Sequence, residues 1–326
     1  MLSDQRKGLG RKRKAVKTTF RQLGVVKLPK QQTIIRDRLV EASALMRGEP
    51  EVTFQHSILC QTSLPYRDPG PDVRRWERQQ GHAALLINAG EARDPETGQW
   101  VQLGLPWGPK ARLVLMHLNG EAIRTQSPLV DVGDSLTAFV KRLGLDTGGR
   151  TIRAIKNQVG ALSGALIRMS FDGAEKSYQF DTKVVSGFDL WFPKDEKQRV
   201  LWPSTVQLSL DYFQSLQTHA VPLDERALAA LSHSAMALDL YAWLGQRLHR
   251  IPKPHRQLVP WAAVKDQFGT DFDRLRKFRE KFMEALRQVH AVYPAAKIDV
   301  TGKGLYLYTS PPPVAKTGIL VKLPSA

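Results

Sequence analysis

The chain has 326 residues, with 48 lysines and arginines against 31 aspartates and glutamates, a formal net charge of +17 and a pI near 10.0. This length is enough for two modest domains and a flanking region, and the charge predicts an anionic partner, either nucleic acid or an acidic membrane surface. A single cysteine, Cys60, excludes an internal disulfide and a cysteine-rich zinc site, and no stretch approaches the roughly 18 apolar residues of a membrane span.

Residues 1–31 are predicted to form a disordered basic arm. The first 30 residues contain ten lysines and arginines and one acid, and the segment KGLGRKRKAVK has no apolar periodicity. The arm is either a solubilising tail or a phosphate-binding element that gains affinity by releasing counterions, and we favour the second. Its candidate DNA contacts are Arg11, Lys12, Arg13 and Lys14. The basic start is not followed by an apolar signal-peptide core, and the lone thiol of Cys60, expected to be buried, fits a reducing cytoplasm, so we expect a cytoplasmic protein.

Residues 32–81 are predicted to be a helix and turn-rich N-terminal extension. A helical pattern over residues 32–47 ends before Gly48 and Pro50, and this helix could dock on the body or on a second subunit. The turn-rich LPYRDPGPD follows, and VRRWERQQ is interpreted as a short helix. HAALLINAGE and QWVQLGLP alternate like strands around DPETG, which predicts a bracing hairpin over residues 82–106.

The same order of elements then occurs twice. The first copy reads ARLVLMHLNGEAIR, SLTAFVKRLG, GGRTIRAIKNQVGALSG and ALIRMSFDGAEKSYQFDTKVV; the second reads DLYAWLGQRLHR, PWAAVKDQFG, DFDRLRKFREKFMEALRQVH and AKIDVTGKGLYLYTS. An amphipathic helix, a short helix, a basic helix and a hairpin, in that order, are typical of a winged helix. The sequence therefore predicts an α+β fold with winged-helix domains at residues 82–190 and 224–310.

The segment between the copies, residues 191–223, is predicted to be a packed junction. It holds Trp191, Phe192 and Trp202, and a flexible linker would expose these rings at a cost of about 1.5 to 3 kcal/mol each. The two domains are therefore expected to keep a fixed relative angle. Asp224 is the expected N-cap of a helix that runs through Leu231, and residues 311–326 form an extended tail.

The basic helix of the first copy is a candidate reading helix. Ile152, Ile155, Val159 and Leu162 form its buried stripe, and the opposite face carries Arg150, Arg153 and Asn157, with Lys156 to one side. Arginine and asparagine can bond guanine and adenine edges bidentately in the major groove. No acid lies between Thr147 and Phe171, which favours DNA contact over an ordinary solvated face with mixed charge.

The basic helix of the second copy is a second, more mixed candidate. Its predicted buried face is Phe272, Leu275, Phe278, Phe282, Leu286 and Val289. Its exposed face combines Arg276 and Lys277 with Asp273 and Glu280, and Arg274 and Lys281 flank it. Because this face mixes charges, an ordinary surface helix is a stronger alternative for this helix than for the first. The following hairpin places Lys303 at its tip, where it could meet phosphate or a minor groove. In the first copy the hairpin tip holds Lys176 beside two acids and should contribute less.

The chain also resembles a known family. LLINAGEARDPETGQWVQLGLPWGPKARLVLMHLNGEAIRTQSP, VGDSLTAFVKRLGLDTGGRTIRAIKNQ, FDLWFPKDEKQRVLWPSTVQLSLDYF and HAVPLDERALAALSHSAMALDLYAWLGQRL are similar to the plasmid-encoded RepA replication initiators of bacteria, over about residues 82–313. The resemblance implies an initiator that binds repeated sites in plasmid origin DNA, helps to open the duplex for the host replicative helicase and its loader, and commonly represses its own promoter as a homodimer. A winged-helix transcriptional repressor without origin function is the alternative.

Catalytic interpretations find little support in the sequence. The eight histidines never form the His-hydrophobe-His pair of a DNA-nicking enzyme, and no G-x-x-x-x-G-K-[ST] motif for ATP occurs. Paired acids such as Asp189 with Asp195, or Asp271 with Asp273, lack a third ligand and fit caps and turns. We therefore expect no enzyme activity, no cofactor, no metal and no membrane partner.

Overall fold

The computed structural model describes residues 37, 40–93, 97–132, 135–172, 177–187 and 205–314. The chain divides into units at residues 1–37 and 38–326, and the elements below belong to the second unit. Helices and antiparallel sheets are mixed along it, so the fold is of the α+β class, as predicted. The basic arm, the predicted junction aromatics and residues 315–326 lie outside the described residues.

The region predicted as an N-terminal extension contributes strands to the body. Residues 40–45 are helical, with Ala42 buried, so the predicted helix at 32–47 is described only in its second half. Strand β1 (Val52–His56) leads into a short helix α1 (Ser57–Gln61), in which Cys60 is buried, as expected.

The segment VRRWERQQ holds a strand, and the helix predicted there is wrong. Strand β2 (Arg75–Gln80) alternates exposed and half-buried residues and pairs with β3 (Ala83–Asn88) along its whole length. The indole of Trp76 donates to the carbonyl of Ser63 at 2.8 Å, which fixes the inward face of the strand. Period-2 pairing with an apolar neighbour therefore outweighs the helix propensity of the Arg, Glu and Gln residues.

The predicted hairpin over residues 82–106 is only partly present. Strand β3 pairs with β2 and with β7 (Leu166–Asp172), in a sheet of order β2-β3-β7-β8 that ends with β8 (Ser177–Lys183). The hairpin is confined to β4 (Glu91–Arg93) and β5 (Trp100–Gln102). The predicted strand β3 is present, but its partners are the strand just before it, β2, and the distant strand β7.

The first copy contains its predicted helices, and its strands pair in an unexpected way. The helices are α2 (Gly108–Thr125), α3 (Leu136–Arg142) and α4 (Gly149–Gly164), and Ser135 caps α3 by accepting from the Ala138 amide. Strand β6 (Leu129–Asp131) lies between α2 and α3. It pairs with β10 (Thr205–Leu208), which pairs in turn with β9 (Val185–Gly187). Helix α5 (Leu210–His219) then leads into β11 (Ala220–Asp224), the partner of β1.

The second copy closes its own sheet. Asp224 caps α6 (Glu225–Leu231), as predicted, and α7 (Ala235–Arg247) ends in a 3-10 turn. Then follow β12 (Arg256–Pro260), α8 (Trp261–Phe268), α9 (Leu275–Val292), β13 (Ile298–Val300) and β14 (Gly304–Tyr308). In the sheet of order β12-β14-β13, strand β12, which precedes α8 and α9 in the chain, lies beside β14, the last strand of the hairpin.

A buried ion pair joins the first helices of the two copies. Arg112 is the fifth residue of α2 and Asp239 the fifth of α7; their Nε–Oδ1 and Nη2–Oδ2 distances are 2.6 and 2.8 Å. Both side chains are buried, and Arg112 also donates to the carbonyls of Leu64, Pro65 and Gly108. This bidentate pair fixes how the two helices lie against each other.

Two smaller contacts join the second copy to the region that precedes the first copy. Arg78 on β2 bonds the hydroxyl of Thr270 in the loop before α9, and the amide of Gln267 donates to the carbonyl of Gln61 at 3.1 Å. The second copy therefore packs directly on α2 and on the N-terminal extension.

Candidate nucleic-acid interface

Asp146, two residues before the N-cap Gly148, bonds the start of α4. The carboxylate of Asp146 accepts from the Gly148 amide at 3.0 Å and from the Thr151 hydroxyl at 2.9 Å. The Gly148 bond, and then the Thr151 bond, hold the pKa of Asp146 below its usual value. The first turn of α4 is thereby presented at a defined position.

The first two turns of α4 expose the predicted face. Arg150, Arg153 and Asn157 are exposed together, whereas Ile155, Val159 and Leu162 are buried, so the predicted orientation of the helix is confirmed. Lys156 is half-buried at one side, and burial lowers its pKa. Two guanidinium groups and one amide thus share a surface with no acid from this helix, and each can bond a base edge bidentately. Their role in DNA contact stays a prediction.

The second half of α4 is covered, which the sequence did not predict. Gly160 and Ala161 are buried, and a Cβ on Gly90 would lie 1.8 Å from the carbonyl oxygen of Gly164. The guanidinium of Arg74 donates to the carbonyls of Ala89, Gly90 and Leu103 and so holds together the two ends of the β4–β5 hairpin, whose residue Gly90 contacts this end of the helix. Only the N-terminal turns of α4 are open to a large ligand.

A cleft continues the exposed face of α4. Its volume is about 470 Å³, and it is lined by Lys156 and Asn157 together with Trp107, Lys110 and Asp68. Lys110, at the start of α2, adds a cation that the sequence reasoning did not select. The predicted contact Lys176, in the hairpin after α4, lies outside the described residues.

Helix α9 begins later than predicted. Its first residue is Leu275, so Arg274 occupies the N-cap position and Asp273 precedes the helix. Phe278, Phe282, Leu286 and Val289 are buried as predicted, but Leu275 is 42% exposed and its predicted burial is wrong. Phe278, whose ring lies 5.8 Å from that of Phe272, is the first buried residue of α9, so the buried stripe begins one turn after Leu275.

The outer face of α9 is richer in arginine than the sequence reasoning recognised. Arg276 and Arg287 are exposed and lie with Arg279, Glu280 and Met283 around a shallow cavity of about 620 Å³. Arg276 meets Glu280 at 4.0 Å. Arg279 and Arg287 were missed, although both lie on the i, i+4 row that starts at Leu275.

The predicted contacts on α9 do not all share this face. Lys277 is exposed, but Lys281 follows Arg276 by five residues and so lies about 140° around the helix from it. Lys281 pairs with Glu284 at 3.0 Å. The structure therefore groups Arg276 with residues of the outer face and places Lys281 on a separate flank.

Trp261 connects the outer face of α9 to the hairpin that follows. The guanidinium of Arg279 lies 4.5 Å from the centre of its ring, and its indole donates to the carbonyl of Thr301 at 2.9 Å. A Cβ on Gly304, where φ is +154°, would lie 2.2 Å from the carbonyl oxygen of Val259, so the turn requires glycine. Lys303 is exposed at the tip, as predicted.

Two general properties apply to the described part of the chain. None of its helices is long and apolar enough to cross a bilayer. Among these residues, no three His, Cys, Asp or Glu side chains are grouped closely enough to hold a metal ion.

Both copies thus present a basic helix on an α+β scaffold. Residues 105–262 match the family model described as "Plasmid encoded RepA protein", which confirms over that region the family that the sequence resembles. No curated protein matches the chain.

Two solved structures resemble the fold weakly. The crystal structure of RctB domains 2 and 3 is 10% identical, with a TM-score of 0.46 over 77% of this chain and 94% of that chain. A selenomethionine form of the same two domains is 9% identical, also with a TM-score of 0.46, over 69% of this chain and 80% of that chain. Likenesses of this size are too small to carry an argument about function.

Proposed function

We propose that the chain is a sequence-specific double-stranded DNA-binding protein that initiates plasmid replication. In this proposal each copy is a winged-helix domain, and the N-terminal turns of α4 and α9 enter successive major grooves. Lys303 and the basic arm around Arg11 to Lys14 contact backbone phosphate and fix the register of the protein on the duplex.

The exposed face of α4 carries this proposal. Arg150, Arg153 and Asn157 project together from a helix that contains no acid, and the covered second half limits contact to the end of the helix that presents them. Ordinary surface helices mix charges and gain stability from i, i+4 ion pairs. A face without acids gains none of this stability, which favours a role in binding. The three side chains supply the donors that distinguish guanine and adenine from other bases.

The match to the plasmid-encoded RepA family supports the initiator role. On this basis the protein binds repeated sites in its own plasmid origin, promotes opening of the duplex and recruits the host replicative helicase and its loader. It also represses its own promoter, as a homodimer. The protein acts in the cytoplasm without catalytic activity, so helicase and nuclease steps belong to partners.

Footprinting on the plasmid's own origin region tests the proposal. We expect protection of direct repeats beside an AT-rich stretch, with loss of protection in an Arg150→Ala/Arg153→Ala variant. Arg75→Ala is the matched control, because Arg75 is an exposed arginine on β2 outside both reading helices. Protection of a single inverted repeat in the promoter alone would instead indicate a repressor, and absence of protection at every repeat would refute the initiator role.

A further inference from the structure

We infer that the outer face of α9 recognises thymine methyl groups in the major groove through Leu275 and Met283. Arg276 and Arg287 lie beside these side chains and contact guanine edges or phosphates. The inference rests on the proposed function, since it specifies what the second reading helix reads.

An apolar surface lies on the outer side of α9, which is otherwise polar there. Leu275 is 42% exposed, and Met283 packs against the core but leaves part of its side chain exposed. Both line the shallow cavity of about 620 Å³, together with Arg276, Arg279 and Arg287. Apolar atoms in this position can contact the C5 methyl of thymine, which is the apolar group that the major groove offers.

Positive charge surrounds that apolar surface. Three arginines surround Leu275 and Met283, and Glu280 is the acid among the residues that line the cavity. Because Glu280 lies 4.0 Å from Arg276, it offsets one of the three positive charges and leaves a net cationic rim. A cationic rim around apolar atoms complements a phosphate-lined groove with methyl groups on its floor.

Arg279 is a positioning residue in this arrangement. Its guanidinium lies over the ring of Trp261, which also bonds the base of the hairpin at Thr301. This stacking holds Arg279, which lies between Leu275 and Met283 on the same i, i+4 row, against Trp261. The hairpin tip at Lys303 and the apolar centre of α9 are therefore held in one fixed relation.

The contrast with α4 sharpens the inference. The exposed residues Arg150, Arg153 and Asn157 recognise bases through hydrogen-bond donors, and α4 has no large apolar side chain among the exposed ones. The two helices then differ in chemistry: α4 discriminates purine edges, whereas α9 discriminates thymine from cytosine and uracil.

Uracil interference is the direct test, since replacing thymine by uracil removes one methyl group and leaves the base-pairing edge unchanged. Origin DNA with random partial uracil substitution is bound by the full-length protein, and bound and unbound DNA are cleaved at uracil. For the wild type we expect the bound DNA to contain less uracil than the unbound DNA at the thymine positions of one major-groove segment in each protected site. Each lost methyl contact should weaken binding about fourfold, equivalent to about 0.8 kcal/mol.

Two variants show whether α9 is responsible. Leu275→Ala/Met283→Ala should lose the depletion and bind thymine DNA as weakly as the wild type binds uracil DNA, because both changes remove the same contact. Leu258→Ala is the matched control: Leu258 is 40% exposed, close to the 42% of Leu275, but lies on β12. It should retain the wild-type interference pattern. Thermal unfolding of each variant shows whether it is folded.

The outcomes separate this inference from the function on which it rests. If the wild type protects its sites but shows no uracil interference, thymine reading is refuted and DNA binding stands. Persistent interference in the folded double variant would assign the methyl contact elsewhere and overturn the role of Leu275 and Met283. If no origin site is protected at all, the proposed function fails and the inference fails with it.

Discussion

The ion pair between Arg112 and Asp239 allows a quantitative prediction about stability. Substitution Arg112→Met keeps a long apolar side chain but leaves the Asp239 carboxylate buried without a cation. Breaking such a pair from one side costs about 3–5 kcal/mol. Arg112 is 2% exposed and donates to Asp239 through two nitrogens at 2.6 and 2.8 Å, so the loss should lie in that range and not near the small value of a surface pair.

Urea unfolding, followed by tryptophan fluorescence, measures this loss. The Arg112→Met/Asp239→Leu double variant should be more stable than Arg112→Met alone, because the second change removes the unpaired carboxylate. A matched control is Arg75→Met, which removes an exposed arginine paired with Glu77 at 2.8 Å and should change the free energy of unfolding by about 1 kcal/mol or less.

Two results would refute this reasoning. A loss below about 1 kcal/mol for Arg112→Met would mean that the pair contributes no more than a surface contact. A double variant that is no more stable than Arg112→Met would mean that the unpaired carboxylate is not the source of the cost.

Three further predictions address binding and pH. Arg153→Ala should cost about 1 to 3 kcal/mol on the specific site and much less on random DNA in a binding titration, and equal losses on both would make Arg153 a phosphate contact. Deletion of residues 1–17 should weaken binding to every sequence and flatten the salt dependence, so an unchanged slope would remove the arm from the interface. Burial, and then the charge of His219, lower the pKa of His56 from 6.5 to about 3, so the unfolded chain binds a proton that the folded chain rejects. As the pH is lowered from 6.5 to 3, the free energy of unfolding should therefore fall by up to about 1.4 kcal/mol per pH unit. In unfolding measurements over this range, His56→Gln should reduce that dependence on pH. Equal slopes for the variant and the wild type would contradict the assignment to His56.

Local signals in the sequence predicted the helices well. Asp224 and Ser135 cap the helices that follow them, and the buried stripe of α4 emerged from its apolar periodicity. These features depend on residues within one or two turns of each other. For the same reason the face with Arg150, Arg153 and Asn157 could be predicted before the structure.

Features that depend on distant partners could not be predicted in this way. Strand β3 pairs with β7, which lies much later in the chain, and the cover over the end of α4 comes from the contact between Gly90 and Gly164. Leu275 fits the apolar periodicity of α9 but lies on its first turn, one turn before the buried stripe begins at Phe278. The spacing of apolar residues alone does not show which end of an apolar stripe on a helix is buried.

The ion pair was also missed, although the sequence contained a signal for it. Asp239 interrupts the apolar run of α7, and Arg112 occupies the same position in α2, directly before the apolar run Leu113–Met116. A charged side chain on the apolar side of a helix requires a buried partner. Opposite charges at equivalent positions of a repeat are the pattern that would have predicted the contact.

In the proposed complex with DNA, the fixed contact between α2 and α7 also limits which sites the two copies can bind together. Inserting one base pair between two contacted segments moves one of them by about 3.4 Å along the duplex and rotates it by about 35°. Since Arg112 and Asp239 hold the first helices of both copies in one arrangement, the protein has little freedom to follow that rotation. The two contacted segments should therefore face the same side of the duplex relative to each other in every recognised site, even where the bases between them vary.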